Sequence, residues 1–189
     1  MDDVKEQKAN YREHARAHRD RIDRDQTDFE TVIDVFFDYF KPSKDQIIAA
    51  YWPVGKEFDC RFLLDELVKQ GYRCALPVAS KERRAMSFRE WTHNTQLHQG
   101  VYNVPEPVEG EEVIPDMVIA PLLAFDQKGY RLGQGGGHYD ATIADLRTKK
   151  DIIYIGIGYA EQAVLFKLPA EDHDIPLDYM LTPQGVTEF

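Results

Sequence analysis

A glycine-rich segment is the part of this sequence whose residue types could do chemistry. It runs from Ala124 to Asp140, has glycine at positions 133, 135, 136 and 137, and carries Arg131 just before them. Because glycine has no Cβ, backbone N–H groups can converge there on an anion such as a phosphate. The Asp140 carboxylate is the kind of oxygen ligand that Mg²⁺ prefers. The segment predicts a phosphate and magnesium site, with a flexible turn as the alternative from the glycines alone.

A run of cations near the start of the chain is a second group that could bind a ligand. Lys8, Arg12, Arg16 and Arg19 follow the spacing i, i+4, i+8 and i+11, which puts them on one face of a helix. A face that is only exposed to water is the usual explanation for such a run. Here the cations are concentrated in a chain of net charge −10, so an anionic ligand is the competing interpretation.

Other nucleotide-binding and catalytic signatures are missing from the sequence. No Lys-Ser or Lys-Thr follows the glycines, which argues against a P-loop, and His138 stands where G-x-G-x-x-G requires its last glycine. His14 and His18 are one helical turn apart but lack the glutamate of an H-E-x-x-H zinc motif. There is no G-x-S-x-G elbow for a nucleophilic serine. The sequence therefore disfavours a dehydrogenase, a zinc protease and a serine hydrolase.

Composition narrows the class of protein further. The length of 189 residues suits a single domain, 1–189, with a substantial core. An excess of 33 acidic over 23 basic residues argues against broad nucleic-acid binding, which depends on neutralising phosphates. No apolar run approaches the ~20 residues that span a bilayer, and no signal peptide is visible, so a cytoplasmic location is predicted. Cys60 and Cys74 lack C-x-x-C spacing and are expected to be buried or idle thiols.

Hydrophobic periodicity divides the chain into alternating helices and strands. It predicts helices over 4–24, 27–40, 59–70 and 138–149. It predicts strands over 47–52, 73–77, 86–91, 117–121, 152–157 and 179–181, with the Pro- and Gly-rich stretch 98–115 as a loop. This alternation indicates an α/β protein with a three-layer Rossmann-like fold, in which helices flank a largely parallel central sheet. Ligands bind outside the carboxyl ends of such strands, so residues 54–59 and the glycine-rich segment should face one crevice.

The segment Pro121–Asp140 resembles the 5-formyltetrahydrofolate cyclo-ligase family, in which a strand leads into P-x-x-A/G-F-D-x-x-G-x-R-L-G-x-G-x-G-Y-Y-D. Further stretches agree with the family in the same order along the chain. They are Lys8-x-x-x-Arg12, Glu57-Phe-Asp59, Asn103-Val-Pro-Glu-Pro107 and His173-Asp-Ile-Pro-Leu-Asp178.

The resemblance implies conversion of 5-formyltetrahydrofolate to 5,10-methenyltetrahydrofolate, with ATP split to ADP and phosphate and with Mg²⁺ required. A formamide oxygen is a poor leaving group. Transfer of the γ-phosphoryl group to it would create an activated imidate, which the N10 amine can attack to close the ring and expel phosphate. Positioning and charge neutralisation would then supply most of the acceleration.

The resemblance also assigns roles to individual positions. The implied nucleotide-binding residues are Lys8, Arg12, Arg131, Leu132, Gly133, Gln134, Gly135, Gly136, Gly137, His138 and Tyr139. The implied catalytic residues among them are Arg131, His138 and Tyr139. Asp140 and Asp174 are implied to hold Mg²⁺, directly or through water. Val54, Glu57, Asp59 and Tyr102 are implied to line the folate side, with a carboxylate on the N–H edge of the pterin and Tyr102 stacked on it.

His138 departs from the family, which usually has tyrosine at this position. It lies where the formyl group and the γ-phosphate are expected to meet, so an imidazole could donate a hydrogen bond there or accompany a different substrate. A paralogue with the same ATP site and another substrate is therefore the alternative function, and an RNA-binding module is a third. The expected partners are small molecules, with no membrane or nucleic acid, and a monomer is favoured over an oligomer.

Overall fold

Four α-helices form the helical part of the computed structural model, which describes residues 2–24 and 28–189. They are α1 (Asp2–Arg19), α2 (Phe29–Phe40), α3 (Arg61–Lys69) and α4 (His138–Arg147), with a short 3-10 helix at Ala160–Gln162. Helix α2 begins where Asp28 Oδ1 accepts a hydrogen bond from the backbone N of Thr31 at 3.1 Å. It ends at Lys41, which has a left-handed backbone (φ 44°) and precedes a proline. The predicted start of this helix at position 27 lies outside the described residues.

Twelve strands make up the sheets in the described part of the chain. They are β1 (Ile47–Ala49), β2 (Arg73–Val78), β3 (Ser87–Trp91), β4 (Leu97–Gln99), β5 (Pro105–Pro107), β6 (Glu112–Val113), β7 (Met117–Ala120), β8 (Ala124–Phe125), β9 (Arg131–Leu132), β10 (Ile153–Ile157), β11 (Tyr179–Thr182) and β12 (Gly185–Glu188). Eight of them form one sheet in the order β12-β11-β10-β7-β1-β2-β3-β6, while β4-β5 and β8-β9 form separate pairs.

Strands β11, β10, β7, β1 and β2 are parallel neighbours, and the antiparallel strands lie at the two sides of the sheet. Numbered along the chain, the parallel strands have the order 2-1-3-4-5. In this arrangement the chain reverses its direction of winding between β1 and β7, and ligands bind outside the carboxyl ends of the strands at that point. The loops that leave β1 and β7 therefore open into the same crevice.

Two apolar cores lie on opposite faces of the sheet, so the predicted α/β fold with three layers is confirmed. Alternation along each strand produces them: Ile48 and Met117 pack with α2 and α3, whereas Ala49 and Val118 pack with α4 on the other face. Helix α1 belongs to neither layer. Its Tyr11 packs beside a third, small cluster formed by the β8–β9 hairpin, at the carboxyl end of the sheet.

Several predicted elements differ from the structure. The loop predicted over 98–115 is wrong, because this stretch contains β5, β6 and most of β4; its prolines are tolerated in a two-stranded pair outside the main sheet. Helix α1 ends at Arg19, not at 24, and β1 stops at Ala49, although Tyr51 remains buried. Both cysteines are buried as predicted, and burial raises the pKa of each thiol to about 12. In the described part of the chain, no helix combines the length and the apolar character needed to cross a membrane.

Candidate active site

The β8–β9 hairpin delivers the glycine-rich loop to the first turn of α4. Gly135 (φ +105°) and Gly137 (φ +66°) have left-handed backbones, which side chains other than glycine rarely adopt. A Cβ on Gly133 would lie 2.7 Å from the Arg131 guanidinium, and one on Gly136 would lie 2.6 Å from the His138 ring. The glycines therefore let the Arg131 and His138 side chains fold back over the loop. The loop leads into the first turn of α4, where backbone N–H groups have no partner within the helix.

The cationic face of α1 lies along this loop. Arg12 Nε donates to the carbonyl oxygen of Gly133 at 3.0 Å, and Arg16 Nη2 donates to Gln134 Oε1 at 3.0 Å. Burial lowers the pKa of Arg12, although Asp174 and Glu171 oppose this effect, and a guanidinium remains charged at neutral pH in any case. Three of the residues implied to bind nucleotide are thus brought together from positions more than 100 residues apart in the chain.

Lys8, one turn earlier on α1, is buried with its charge neutralised by two carboxylates. Its Nζ lies 2.8 Å from Glu171 Oε2 and 2.5 Å from Asp174 Oδ2. Burial alone would lower the pKa of Lys8, but the hydrogen bonds and charges of Asp174 and Glu171 outweigh it and raise the pKa. The same hydrogen bond lowers the pKa of Glu171. Lys8 is therefore fully protonated at neutral pH.

Glu171, His173 and Asp174 form the one cluster with metal-ligand geometry among the described residues: their ligand atoms lie within 4.8 Å of one another. Two carboxylates and an imidazole are a donor set that suits a divalent cation with a preference for oxygen. Asp140, the other residue implied to hold metal, is not a member of this cluster. Its Oδ1 accepts from the backbone N of Ile175 at 3.2 Å, which ties it to the turn that carries Asp174.

Arg131 lies in the interior of the site, and its side chain is 5% exposed. Its Nε donates to the hydroxyl of Tyr154 on β10, and its Nη2 is 3.4 Å from Asp140 Oδ2. The guanidinium also lies over the Tyr139 ring, 5.2 Å from its centroid. Tyr139 itself is partly buried, and the loss of hydration raises its pKa well above the ordinary value. The phenol is therefore protonated at neutral pH.

His138 opens α4 and faces the tip of the β4–β5 pair. Its Nδ1 lies 2.9 Å from the backbone oxygen of Arg84, and its ring is 4.7 Å from that of Tyr102 at an angle of 53°. Because a carbonyl oxygen only accepts hydrogen bonds, Nδ1 carries the proton in this contact. In the neutral imidazole, Nε2 is then left as an acceptor. Tyr102 remains half exposed, so its ring is accessible to a planar ligand.

The loop after β1 supplies Val54, Glu57 and Asp59. Glu57 Oε2 accepts from the backbone N of Val54 at 3.0 Å, and its Oε1 lies 3.4 Å from Gln134 Nε2 in the glycine-rich loop. The two loops predicted to share a crevice are thus in contact. Asp59 instead pairs with Arg61 at the start of α3, which lowers the pKa of the aspartate.

Three residues of the site were not predicted from the sequence: Glu171, Tyr154 and Arg84. Glu171 lies three residues before Asp174, at a spacing that lets both carboxylates meet one cation in a turn. Tyr154 is a polar-tipped side chain in an otherwise aliphatic buried strand, which is a usable signal. Arg84 contributes only its backbone oxygen, and no residue-type pattern reports such a contact.

Comparisons with known proteins identify the family of this chain. The profile of the 5-formyltetrahydrofolate cyclo-ligase family matches residues 4–183. The 5-formyltetrahydrofolate cyclo-ligase of Escherichia coli K12 is 34% identical over 149 residues, which cover 75% of this chain and 80% of that protein. The enzyme of the same name from Mycolicibacterium smegmatis is 32% identical over 145 residues, covering 72% and 73%.

A solved structure supports the same assignment. The 5,10-methenyltetrahydrofolate synthetase of Aquifex aeolicus superposes with a TM-score of 0.78 at 29% identity, covering 96% of this chain and 92% of that chain. The synthetase of Mycoplasma pneumoniae has a TM-score of 0.71 at 21% identity, which supports the fold alone. The fold, the glycine-rich loop and the matched profile place this chain in the 5-formyltetrahydrofolate cyclo-ligase family, and it is an enzyme of the cyclo-ligase type.

Proposed function

We propose that this enzyme converts 5-formyltetrahydrofolate to 5,10-methenyltetrahydrofolate and splits ATP to ADP and phosphate. The observation that carries the proposal is the convergence of Arg12 of α1 on the glycine-rich loop, beside the Lys8–Asp174 pair. A cationic helix face, a loop that ends at a helix N-terminus and an acidic cluster are the three parts that a metal-bound triphosphate requires.

The triphosphate is assigned to the space between α1 and the glycine-rich loop. The glycine-rich loop leads into the first turn of α4, whose backbone N–H groups have no partner within the helix, and Arg12 donates to the carbonyl oxygen of Gly133. Arg131, held by Tyr154 and Asp140, is assigned to the same space. Asp174, with Glu171 and Asp140, would hold Mg²⁺, which neutralises phosphate charge when bound.

The folate is assigned to the crevice between the loop after β1 and the tip of the β4–β5 pair. Glu57 is one lateral wall, because its carboxylate can accept from the N–H edge of a pterin. Tyr102 is the other, since its half-exposed ring can stack on the same heterocycle. His138 lies between this wall and the phosphate site.

The chemistry follows from this placement. The formyl oxygen attacks the γ-phosphorus, the bond to the ADP oxygen breaks, and Arg131 neutralises the negative charge that spreads over the transferred group. The N10 amine then attacks the former formyl carbon. The ring closes, the carbon–oxygen bond to phosphate breaks, and the N10 proton is lost. Because Nδ1 of His138 donates to the backbone oxygen of Arg84, its Nε2 is an acceptor available for that proton.

Turnover tests the proposal directly. Purified protein with Mg-ATP and 5-formyltetrahydrofolate should produce a rise in near-ultraviolet absorbance from the methenyl product, together with equimolar ADP. Omission of ATP is the matched blank. Folded protein that binds Mg-ATP but forms no product at micromolar enzyme would refute the folate reaction.

That last outcome is the signature of the alternative function, in which the same ATP site serves another substrate. The contact between His138 and Tyr102 is the observation that favours this alternative. An imidazole lines the proposed folate crevice here, at a position where the family usually has a tyrosine. Calorimetric titration separates the two: a paralogue would bind Mg-ATP without binding 5-formyltetrahydrofolate.

We also propose that residues 1–189 act as one domain, as a monomer, in the cytoplasm.

A further inference from the structure

Arg19, at the last position of α1, is a buried cation with two guanidinium nitrogens that have no hydrogen-bond partner among the described residues. The residue is 5% exposed, and its Nε and Nη1 atoms contact no acceptor among the described residues. Lys8, on the same helix face and 6% exposed, has two carboxylates on its single nitrogen. A buried charge with unsatisfied hydrogen-bond donors costs free energy. Arg19 therefore lowers the free energy of unfolding of the ligand-free protein.

The structure shows which part of the site Arg19 adjoins. Lys56 Nζ donates to the backbone oxygen of Asp20 at 2.9 Å, which fastens the loop after β1 to the end of α1 beside Arg19. One turn earlier, Arg16 donates to Gln134, which in turn lies against Glu57. Burial lowers the pKa of the Arg19 guanidinium, and the carboxylate of Glu57 is the largest influence that opposes this.

The helix face therefore serves two neighbouring regions. Lys8 and Arg19 are 11 residues apart, or about 16 Å along a helix. Lys8 is at the acidic cluster of the phosphate end, and Arg19 is at the Glu57 end. A span of this length covers a triphosphate and an adjoining heterocycle.

We infer that Arg19 binds the heterocycle of the substrate beside Glu57, with its orphaned N–H groups donating to the ring carbonyl oxygen. A pterin presents a cyclic amide there. Its N–H can donate a hydrogen bond to a carboxylate, and the adjacent carbonyl oxygen can accept one from a guanidinium. Glu57 supplies the acceptor and Arg19 supplies the donors. The inference rests on the proposed function, since it specifies how the folate side of that site is recognised.

The test uses Arg19→Met, with Arg21→Met as a matched control. Methionine fills a similar apolar volume without donors, and Arg21 is an exposed arginine two residues further along. Removal of the orphaned charge should raise the Tm of the ligand-free protein by roughly 2–6 °C. The dissociation constant for 5-formyltetrahydrofolate should increase by about ten- to a hundredfold. Binding of Mg-ATP should be unchanged, and Arg21→Met should match the unsubstituted protein in all three measurements.

Each other outcome has a definite meaning. Unchanged folate affinity in Arg19→Met would overturn the inference and leave the proposed function intact. A lowered Tm would show that the guanidinium stabilises the free protein and would overturn the inference as well. Failure of the unsubstituted protein to bind 5-formyltetrahydrofolate would remove the proposed function, and this inference with it.

Discussion

Replacement of Lys8 by methionine removes the cation that two carboxylates share. Lys8 Nζ lies within hydrogen-bond distance of both Glu171 and Asp174, and the lysine is almost fully buried. In Lys8→Met the two carboxylates remain close together, because the backbone N of Glu171 still donates to Asp174 Oδ2. The two negative charges then repel each other at a site with little exposure to solvent, and this repulsion destabilises the folded state.

The size of the effect follows from burial. Breaking a fully buried ion pair costs about 3–5 kcal/mol, because the remaining charge is left uncompensated. The carboxylate side chains here are 20% exposed, so water screens part of this cost. We expect Lys8→Met to lower the free energy of unfolding by about 2–3 kcal/mol. For a chain of this length, that corresponds to a fall in Tm of roughly 4–12 °C.

The pH dependence gives a sharper check. The hydrogen bond from Lys8 lowers the pKa of Glu171 below its ordinary value of 4.5. A carboxyl group with a lowered folded-state pKa contributes stability above pH 4.5, and that stability is lost as the pH falls through the lowered value. The variant lacks this contribution. The difference in Tm between the two proteins should therefore be largest near pH 7 and should shrink below pH 4.5.

Differential scanning fluorimetry from pH 3.5 to pH 8 measures both quantities. Lys5→Met, an exposed lysine on the same helix, is the control for the loss of one positive charge. It should shift Tm by less than about 2 °C, since surface substitutions seldom exceed ±0.5 kcal/mol. An equal Tm for Lys8→Met and Lys5→Met at pH 7.5, or a Tm difference that stays constant down to pH 3.5, would refute the reasoning.

Three further substitutions test the site, and one of them is paired with Gly71→Ala as a control. Asp140→Ala should lower turnover at least about a hundredfold with the fold retained, because charge neutralisation at the phosphoryl group is lost; near-normal turnover would contradict the role. Gly135→Ala and Gly71→Ala impose the same positive-φ strain, about 1–2 kcal/mol, but only at Gly135 does the new methyl group approach Arg12, so only Gly135→Ala should also weaken Mg-ATP binding in calorimetry. Arg12→Met should weaken Mg-ATP binding more than Lys8→Met, about ten- to a hundredfold, yet should cost less stability; the reverse order in either assay would contradict the assignment.

The periodicity of apolar residues was sufficient to predict the parallel strands and the helices that cover them, because each of these elements has a long enough apolar pattern. β1 and β7 are continuous apolar runs, and α2 has a clear apolar stripe. The pairs β4-β5 and β8-β9 and the edge strands β6 and β12 were missed. Strands of two to four residues with prolines or glycines show no measurable period, and their pairing is decided by tertiary contacts.

The site was predictable in part for a similar reason. The glycine-rich loop is local, so its residue types and spacing are sufficient to predict a phosphate site from the sequence. The partner of Lys8 is not local: Glu171 lies 163 positions away, and a single glutamate in an acidic chain carries no signal. The same limit applies to Arg19, whose burial depends on how the loop after β1 meets the end of α1.

The partners of the site's cations divide them into two kinds. Lys8 and Arg131 are held by carboxylates, so their charges are compensated before any ligand arrives. Arg12 and Arg16 rest on uncharged acceptors, a carbonyl oxygen and an amide oxygen. An incoming polyanion gains more binding free energy from the second kind of cation. Breaking a hydrogen bond to a neutral acceptor costs the cation less than breaking one to a carboxylate. We therefore expect Lys8 and Arg131 to contribute mainly to the shape of the site before the reaction, with Arg131 acting when negative charge develops on the transferred group. We expect Arg12 and Arg16 to supply the net attraction for the polyanion in a chain whose overall charge is −10.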